Sequence, residues 1–311
     1  MLSGDALRIL FISSNRIGDA VLSTGLLDHL IRTHPEASIT VACGPAAEGV
    51  FARMPNRAET ILLDKRPFDL HWAPFWWHAA RRRWDLVVDI RGSALSWLVP
   101  TRRRAVMRPG PGHKTAQLAA VLRLSPPPVP VAWTGPEDRA LAAELLPSGP
   151  TVALGPTANW SGKIWPAQHF VALFRALENG FLPGATPVIL AGPGEQERSL
   201  AAPVADALPA AIDLTGRLSL PQVAACLARV SLYIGNDSGL MHLAAAAGAP
   251  TLGLFGPTRA AEYAPAGPRA AAVTASGPRM EDLSVVDALS AAVWLLNRDA
   301  LVDGRGCYKG F

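Results

Sequence analysis

Gly235-Asn236-Asp237-Ser238-Gly239 carries the densest chemistry in the chain. An apolar run, Val230–Ile234, leads into it, and a small-residue helix, Leu240–Ala247, leads out. Strand, glycine turn and helix in that order leave free backbone N–H groups and the positive end of a helix at the turn, a seat for a phosphate. Small residues there let the backbone approach a ligand closely. Asp237 stands beside that seat, where its carboxylate suits sugar hydroxyls and repels a diphosphate. The local alternative is that Asp237 or Ser238 only caps the helix. Lys163 lies on a second such loop, Gly155–Pro166, between the strand Thr151–Leu154 and the helix Ala167–Leu177. A lysine there reaches a phosphate as a flexible point charge. The loop is not a Walker A loop, because Ile164 stands where the Mg²⁺-binding hydroxyl belongs; this excludes a P-loop ATPase. Glu195 follows the strand Pro187–Ala191 and Gly192-Pro193-Gly194, placed to accept hydrogen bonds from two ribose hydroxyls. Glu197 is the alternative for that role. Asp19 ends a fourth turn, Ser14–Asp19, either as a helix cap or as a carboxylate at the mouth of an N-terminal sheet.

These turns need strands before them and helices after them. Leu7–Ser13 reads as a buried strand, and Ala20–Arg32 places Val21, Leu22, Leu26, Leu27, Leu30 and Ile31 at a helical period. Ile39–Cys43, Thr60–Leu63, Leu86–Ile90 and Arg103–Met107 are further strands of a first half, with a helix over Thr115–Leu124. In the second half, Ile212–Thr215, Thr251–Phe255 and Ala270–Thr274 read as strands, and Val285–Arg298 as an amphipathic helix. Strands alternating with helices predict α/β domains with parallel sheets. The proline-rich Ser125–Pro136 suits a semi-rigid connection, and Pro147-Ser148-Gly149-Pro150 is the break that sets the boundaries. Residues 1–147 form one expected domain, 148–284 a second, and 285–311 a last helix and tail. Arg66–Trp84 gathers Phe68, Trp72, Phe75, Trp76, Trp77 and Trp84, closed by Arg81–Arg83 and followed by Arg102–Arg104. An aromatic and basic face suits anionic lipid headgroups; equally, a helix there packs its tryptophans on the sheet.

At 311 residues, half of them hydrophobic and 17% charged, the chain builds substantial cores. Cys43, Cys226 and Cys307 are far apart without metal-ligand spacing, as reduced thiols of a cytoplasmic protein are. Neither a signal peptide nor an apolar run of spanning length is visible. The net charge of +4 agrees with anionic partners without choosing among them.

Asn236 to His242 with Pro250, Thr251 and Phe255–Thr258 resembles the C-terminal signature of glycosyltransferase family 9, the ADP-heptose:lipopolysaccharide heptosyltransferases. Ser14, Gly18, Asp19, Val21, Leu22, Thr24 and Leu27 resemble its N-terminal signature, although Gly25 stands where the family usually has proline. Lys163, Trp165 and Pro166 match its K-x-W-P loop. The resemblance implies a GT-B architecture, two Rossmann-like domains facing across a cleft, with acceptor on the first and nucleotide-sugar donor on the second. It implies inverting transfer of a sugar, heptose from ADP-heptose, to a lipopolysaccharide-core or other envelope acceptor. Asp19 would be the general base and Lys163 would serve the donor's phosphates. Thr157, Asn159, Glu195, Leu218, Asp237, Ser238, Gly239 and Leu240 would bind the donor, with Leu218 bordering adenine through its backbone. His242 is expected to be structural, and the last helix to cross back to the first domain. No cofactor and no metal are implied, nor a nucleic-acid partner; peripheral contact with the cytoplasmic face of the inner membrane is. The alternatives are a GT-B enzyme using another nucleotide sugar, a UDP-sugar transferase or epimerase, and a non-catalytic nucleotide-sugar-binding protein.

Overall fold

Strands buried on both faces read as unbroken apolar runs, and RILFI, SITVAC and LYIGN fold accordingly into parallel sheets. The computed structural model describes residues 6–63 and 72–302. Arg66, Phe68, Cys307 and the tail 304–311 lie outside the described residues. The chain divides into two compact units, 1–133 and 134–311.

The first unit contains β1 (Arg8–Ile12), α1 (Ile17–Thr33), β2 (Ser38–Cys43), β3 (Arg57–Leu62), α2 (Trp72–Ala80), β4 (Trp84–Asp89), β5 (Thr101–Val106) and α3 (Lys114–Val121). Among the described residues its five strands run parallel in the order β3-β2-β1-β4-β5. α1 begins three residues earlier than its periodicity predicts, so that Gly18 and Asp19 lie inside its first turn. Leu10, Ile12, Phe75, Ala79, Trp84 and Val87 pack as one core under α2. Gly25 on α1 has a packing reason. A Cβ there would stand 2.7 Å from the carbonyl oxygen of Pro128 and 2.9 Å from that of Val129, so the proline-rich segment crosses the helix at a position without a side chain. Thr24 pins the crossing by accepting a hydrogen bond from the Val131 N–H at 2.9 Å.

The second unit contains α4 (Pro136–Leu145), β6 (Thr151–Gly155), α5 (Ala167–Gly180), β7 (Thr186–Ile189), α6 (Glu195–Ala207), β8 (Ile212–Asp213), α7 (Leu220–Leu227), β9 (Leu232–Asn236), α8 (Gly239–Ala246), β10 (Thr251–Phe255), α9 (Ala260–Tyr263), β11 (Ala270–Thr274) and α10 (Val285–Val302). Among the described residues six parallel strands lie in the order β11-β10-β9-β6-β7-β8. Counted within the unit this is 6-5-4-1-2-3, the doubly wound dinucleotide-binding order, which reverses between β6 and β9. α4 packs on α7, so the division between units falls at 133/134, ahead of the Pro147–Pro150 break. α10 lies on α5, β10 and β11 and buries Ala288, Ala292, Leu295 and Leu296 in the core of this unit.

Candidate functional site

Open parallel sheets bind ligands outside the carboxyl ends of their strands, at the point where the strand order reverses. In the second unit that point lies between β6 and β9, and the loops leaving these two strands carry Lys163 and Asp237. Lys163 Nζ donates to Asp237 Oδ2 at 2.7 Å, with the lysine side chain 21% and the aspartate 8% exposed. What holds them opposite one another is one residue further into the fold. The Trp165 indole is fully buried, packs edge-on against Phe170, and donates from Nε1 to the Leu283 carbonyl at 2.9 Å. The Trp165 N–H donates to Asn236 Oδ1 at 3.1 Å. The pairs Trp165–Asn236 and Lys163–Asp237 thus staple the two loops together. In the K-x-W-P loop the tryptophan is the anchor and the lysine, two residues earlier, is the charge it aims.

Ser238 is the residue before α8, with extended backbone and no hydrogen bond from its side chain to the helix. The first-turn N–H groups of α8, from Gly239 and Leu240 onward, therefore keep the positive helix end next to the lysine. Thr157 is buried and Asn159 exposed, both on the loop after β6. His242 is buried within α8.

The loops after β7 and β8 form the neighbouring part of the rim. Gly194 precedes α6 at φ +107°, and Gly216 turns at φ +65°; a Cβ on Gly216 would press on Pro193 Cα at 3.0 Å. The two loops are joined by the Gly216 N–H donating to the Ala191 carbonyl at 3.1 Å. Their carboxylates are unequal. Glu197 is half-buried and accepts from the Gly192 N–H at 3.0 Å, which occupies it in holding the glycine turn. Glu195, at the first position of α6, is exposed. Leu218 is half-buried on the connection from β8 to α7.

The first unit reverses its strand order between β1 and β4, and Asp19 follows β1. It does not cap α1: the capping position is Arg16, whose side chain makes no capping bond, and Asp19 is the third residue of the helix. Ser14 Oγ donates to Asp19 Oδ2 at 3.4 Å and accepts from the Arg16 N–H at 3.1 Å. The sequence reading missed what braces this turn. Asp89, fully buried at the end of β4, accepts from the N–H groups of Arg91, Gly92 and Ser93 and from Ser93 Oγ, at 2.7–3.1 Å. That closes the loop from which Arg91 Nη1 donates to Asn15 Oδ1 at 3.0 Å. The signal was present as an acid in an apolar strand, with one residue between it and Arg91-Gly92-Ser93.

The aromatic stretch divides. Phe75 and Trp84 are buried in the core, whereas Trp76 and Trp77 face outward. Trp97 and Leu98, unnoticed in the sequence, join them at 62% and 61% exposed, and Trp76 Nε1 donates to the Leu98 carbonyl. The Arg81 guanidinium lies 3.7 Å above the Trp77 ring and that of Arg104 5.0 Å from Trp97. The two described thiols are no nucleophiles, since burial pushes Cys43 up to about 12 and Cys226 to about 11.

The model of the family described as glycosyltransferase family 9 (heptosyltransferase) matches residues 114–292. The chain is 25% identical over 302 residues to lipooligosaccharide heptosyltransferase 2 of Haemophilus influenzae, a match covering 83% of this chain and 86% of that protein. Two solved structures are similar over nearly the whole chain. A family 9 glycosyl transferase from Veillonella parvula has a TM-score of 0.80 at 22% identity, covering 95% of this chain and 98% of that one. ADP-heptose lps heptosyltransferase II of E. coli has a TM-score of 0.75 at 20% identity, covering 94% and 99%. The family match spans more than half of the chain, so the chain belongs to glycosyltransferase family 9, with the α/β fold of the GT-B class.

Proposed function

We propose that this family 9 member transfers a heptose from ADP-heptose to a lipopolysaccharide-core acceptor in a single inverting displacement. The observation that carries the reading is the Lys163–Asp237 pair at the strand-order reversal of the second unit, beside the uncapped start of α8. The second unit takes the donor. Lys163 and the first-turn amides of α8 hold the diphosphate, Asp237 takes sugar hydroxyls, Glu195 takes the ribose, and the Leu218 connection borders the adenine. The first unit takes the acceptor, and Asp19 accepts the proton of its attacking hydroxyl. As the new bond forms at the anomeric carbon, the bond to the diphosphate oxygen breaks and ADP leaves with that electron pair. Lys163 and the amides stabilise the charge gathering on it.

Titration calorimetry of the full chain with ADP, UDP and GDP tests the donor, and ADP is expected to bind tightest. Equal or tighter binding of UDP would retire the heptosyl reading in favour of a UDP-sugar enzyme. Donor binding without turnover on any lipopolysaccharide-core acceptor would favour the non-catalytic reading.

The acceptor is lipid-linked on this reading, and the protein meets it peripherally at the cytoplasmic face of the inner membrane. No helix among the described residues is long and apolar enough to cross a membrane. The support for peripheral contact is the Trp76, Trp77, Trp97 and Leu98 face, whose Arg81 and Arg104 can bind lipid phosphates while the indoles sit at headgroup depth. Co-sedimentation with phosphatidylglycerol vesicles at low salt is expected, reduced in Trp77→Ala/Trp97→Ala. Failure of the wild type to sediment would overturn it.

A further inference from the structure

Each sheet ties its two loops together at the reversal point through an asparagine oxygen. In the second unit Asn236, the last residue of β9, accepts at Oδ1 from the Trp165 N–H of the loop after β6. In the first unit Asn15, on the loop after β1, accepts at Oδ1 from Arg91 Nη1 of the loop after β4, at 3.0 Å. The order of the first sheet reverses between those two strands. An amide oxygen suits this place, because it takes a charge-assisted hydrogen bond while adding no negative charge to the turn that leads to Asp19.

Asn15 is held from its other side as well. A Cβ on Gly44, in the loop after β2, would stand 2.7 Å from Asn15 Oδ1 and 2.8 Å from its Cα, so the glycine lies directly against the asparagine. The Ser13 N–H donates to the Ala42 carbonyl at 2.7 Å, and the Gly44 N–H to the Ser14 carbonyl at 3.5 Å. Arg91 in turn is presented by Asp89, whose carboxylate takes the three consecutive N–H groups of its loop. The turn Ser14–Arg16 is thus clamped between the loops of both strands that flank β1. The clamp stands where a cap is missing, since the Arg16 side chain makes no capping bond to α1. Asp19, the third residue of that helix, follows wherever its start is placed, with Ser14 Oγ reaching its Oδ2 at 3.4 Å.

We propose that Asn15 is a positioning residue for the transfer reaction, which fixes the start of α1 and with it the place of the Asp19 carboxylate; this rests on the reading of Asp19 as the base. Arg91 acts through Asn15, and Asp89 through Arg91. A catalytic group displaced by about 1 Å loses on the order of 10²-fold in rate. A turn loosened at one hydrogen bond moves less than that, and the loss expected is about tenfold.

The test is a set of double-mutant cycles among Asn15→Ala, Arg91→Ala and Asp19→Asn in the full chain, with ADP-heptose and a lipopolysaccharide-core acceptor as substrates. Asn15→Ala and Arg91→Ala remove the same bond, so each is expected to lower kcat about tenfold, and the two together no further. KM for ADP-heptose is expected to hold, and the melting temperature to fall by no more than about 4 °C for one lost hydrogen bond. In the Asp19→Asn background Asn15→Ala is expected to cost nothing more, because the group it positions is already gone. Full activity in Asn15→Ala, an equal loss with and without Asp19, or a loss that tracks a larger fall in melting temperature would overturn the proposal. So would a loss confined to Arg91→Ala with a raised KM for the acceptor, which would give the arginine to the acceptor directly. An active Asp19→Asn protein would end the base reading and this inference with it, whereas an inactive one beside an unimpaired Asn15→Ala would end this inference alone.

Discussion

Replacing Lys163 by alanine tests whether its pairing with Asp237 is a property of the molecule in solution. At 2.7 Å the two charges attract by about 6 kcal/mol at an effective dielectric of 20. Desolvating both groups offsets most of that, so the attraction is no measure of what the pair contributes. The loss of one partner is better defined. Asp237 is left as a carboxylate with 8% of its side chain exposed and without the ammonium it faces. Unpaired, such a group destabilises the fold by about 2 kcal/mol, less than a sealed charge because water reaches the rim. For a domain of this size that lowers the melting temperature by about 4–8 °C. The double variant Lys163→Ala/Asp237→Asn removes the stranded charge and is expected to recover most of the difference. Turnover is expected to stay at least about 10²-fold down in both, because the charge on the leaving diphosphate has lost its partner. Thermal unfolding of the two single variants and the double gives the coupling directly, and about 1 kcal/mol or more is expected. Additive melting shifts, with a stable Lys163→Ala, would show that lysine and aspartate ignore each other and that the staple at Trp165 does not aim the charge.

Asp19→Asn is expected to lose at least about 10²-fold in kcat with no change in melting temperature, since Arg16 and not Asp19 holds the capping position; retained activity would remove the base. Glu195→Gln is expected to weaken ADP binding without affecting stability, whereas Glu197→Gln loosens the turn it holds through Gly192 and lowers the melting temperature. The reverse pattern would give the ribose to Glu197. Gly25→Ala is expected to destabilise by about 1–3 kcal/mol, because the new methyl meets two backbone carbonyls that no side-chain rotation can move aside. An unaltered melting curve would show that the proline-rich segment is not seated on α1.

The parallel α/β plan was legible because it depends on local pattern. Buried strands such as LRILFIS and LVVDI announce themselves by composition, and a glycine turn before a helical period fixes where each strand ends. Lys163, Asp237 and Asp19 could be singled out for the same reason: each sits a few residues past a strand, where parallel α/β sheets offer ligand sites. What escaped was every relation across strands. Asp89 could be seen inside the strand Leu86–Ile90, but its three backbone partners depend on how the chain turns at Gly92. Trp97 and Leu98 lie about twenty residues from α2 and meet it only once β4 and β5 are paired. Pro147–Pro150 is a strong break in the chain and draws a boundary after α4, whereas the compact units divide before it because α4 covers α7.

Gly155 and Gly235 show the same limit most sharply. In the sequence Gly235 reads as a glycine that lets backbone approach a ligand, and Gly155 as the start of the loop that carries Lys163. In the structure the atom that approaches them is Tyr233 Oη, from within the sheet. A glycine records that a Cβ cannot be present; only the tertiary register, here Ala153 opposite Tyr233 and Gly155 opposite Gly235, says what stands in its place. The glycines that make the rim close-packed are therefore set by the interior of the fold as much as by the ligand. A side chain at Gly155 would meet the Tyr233 hydroxyl inside the sheet before it met anything beyond the rim.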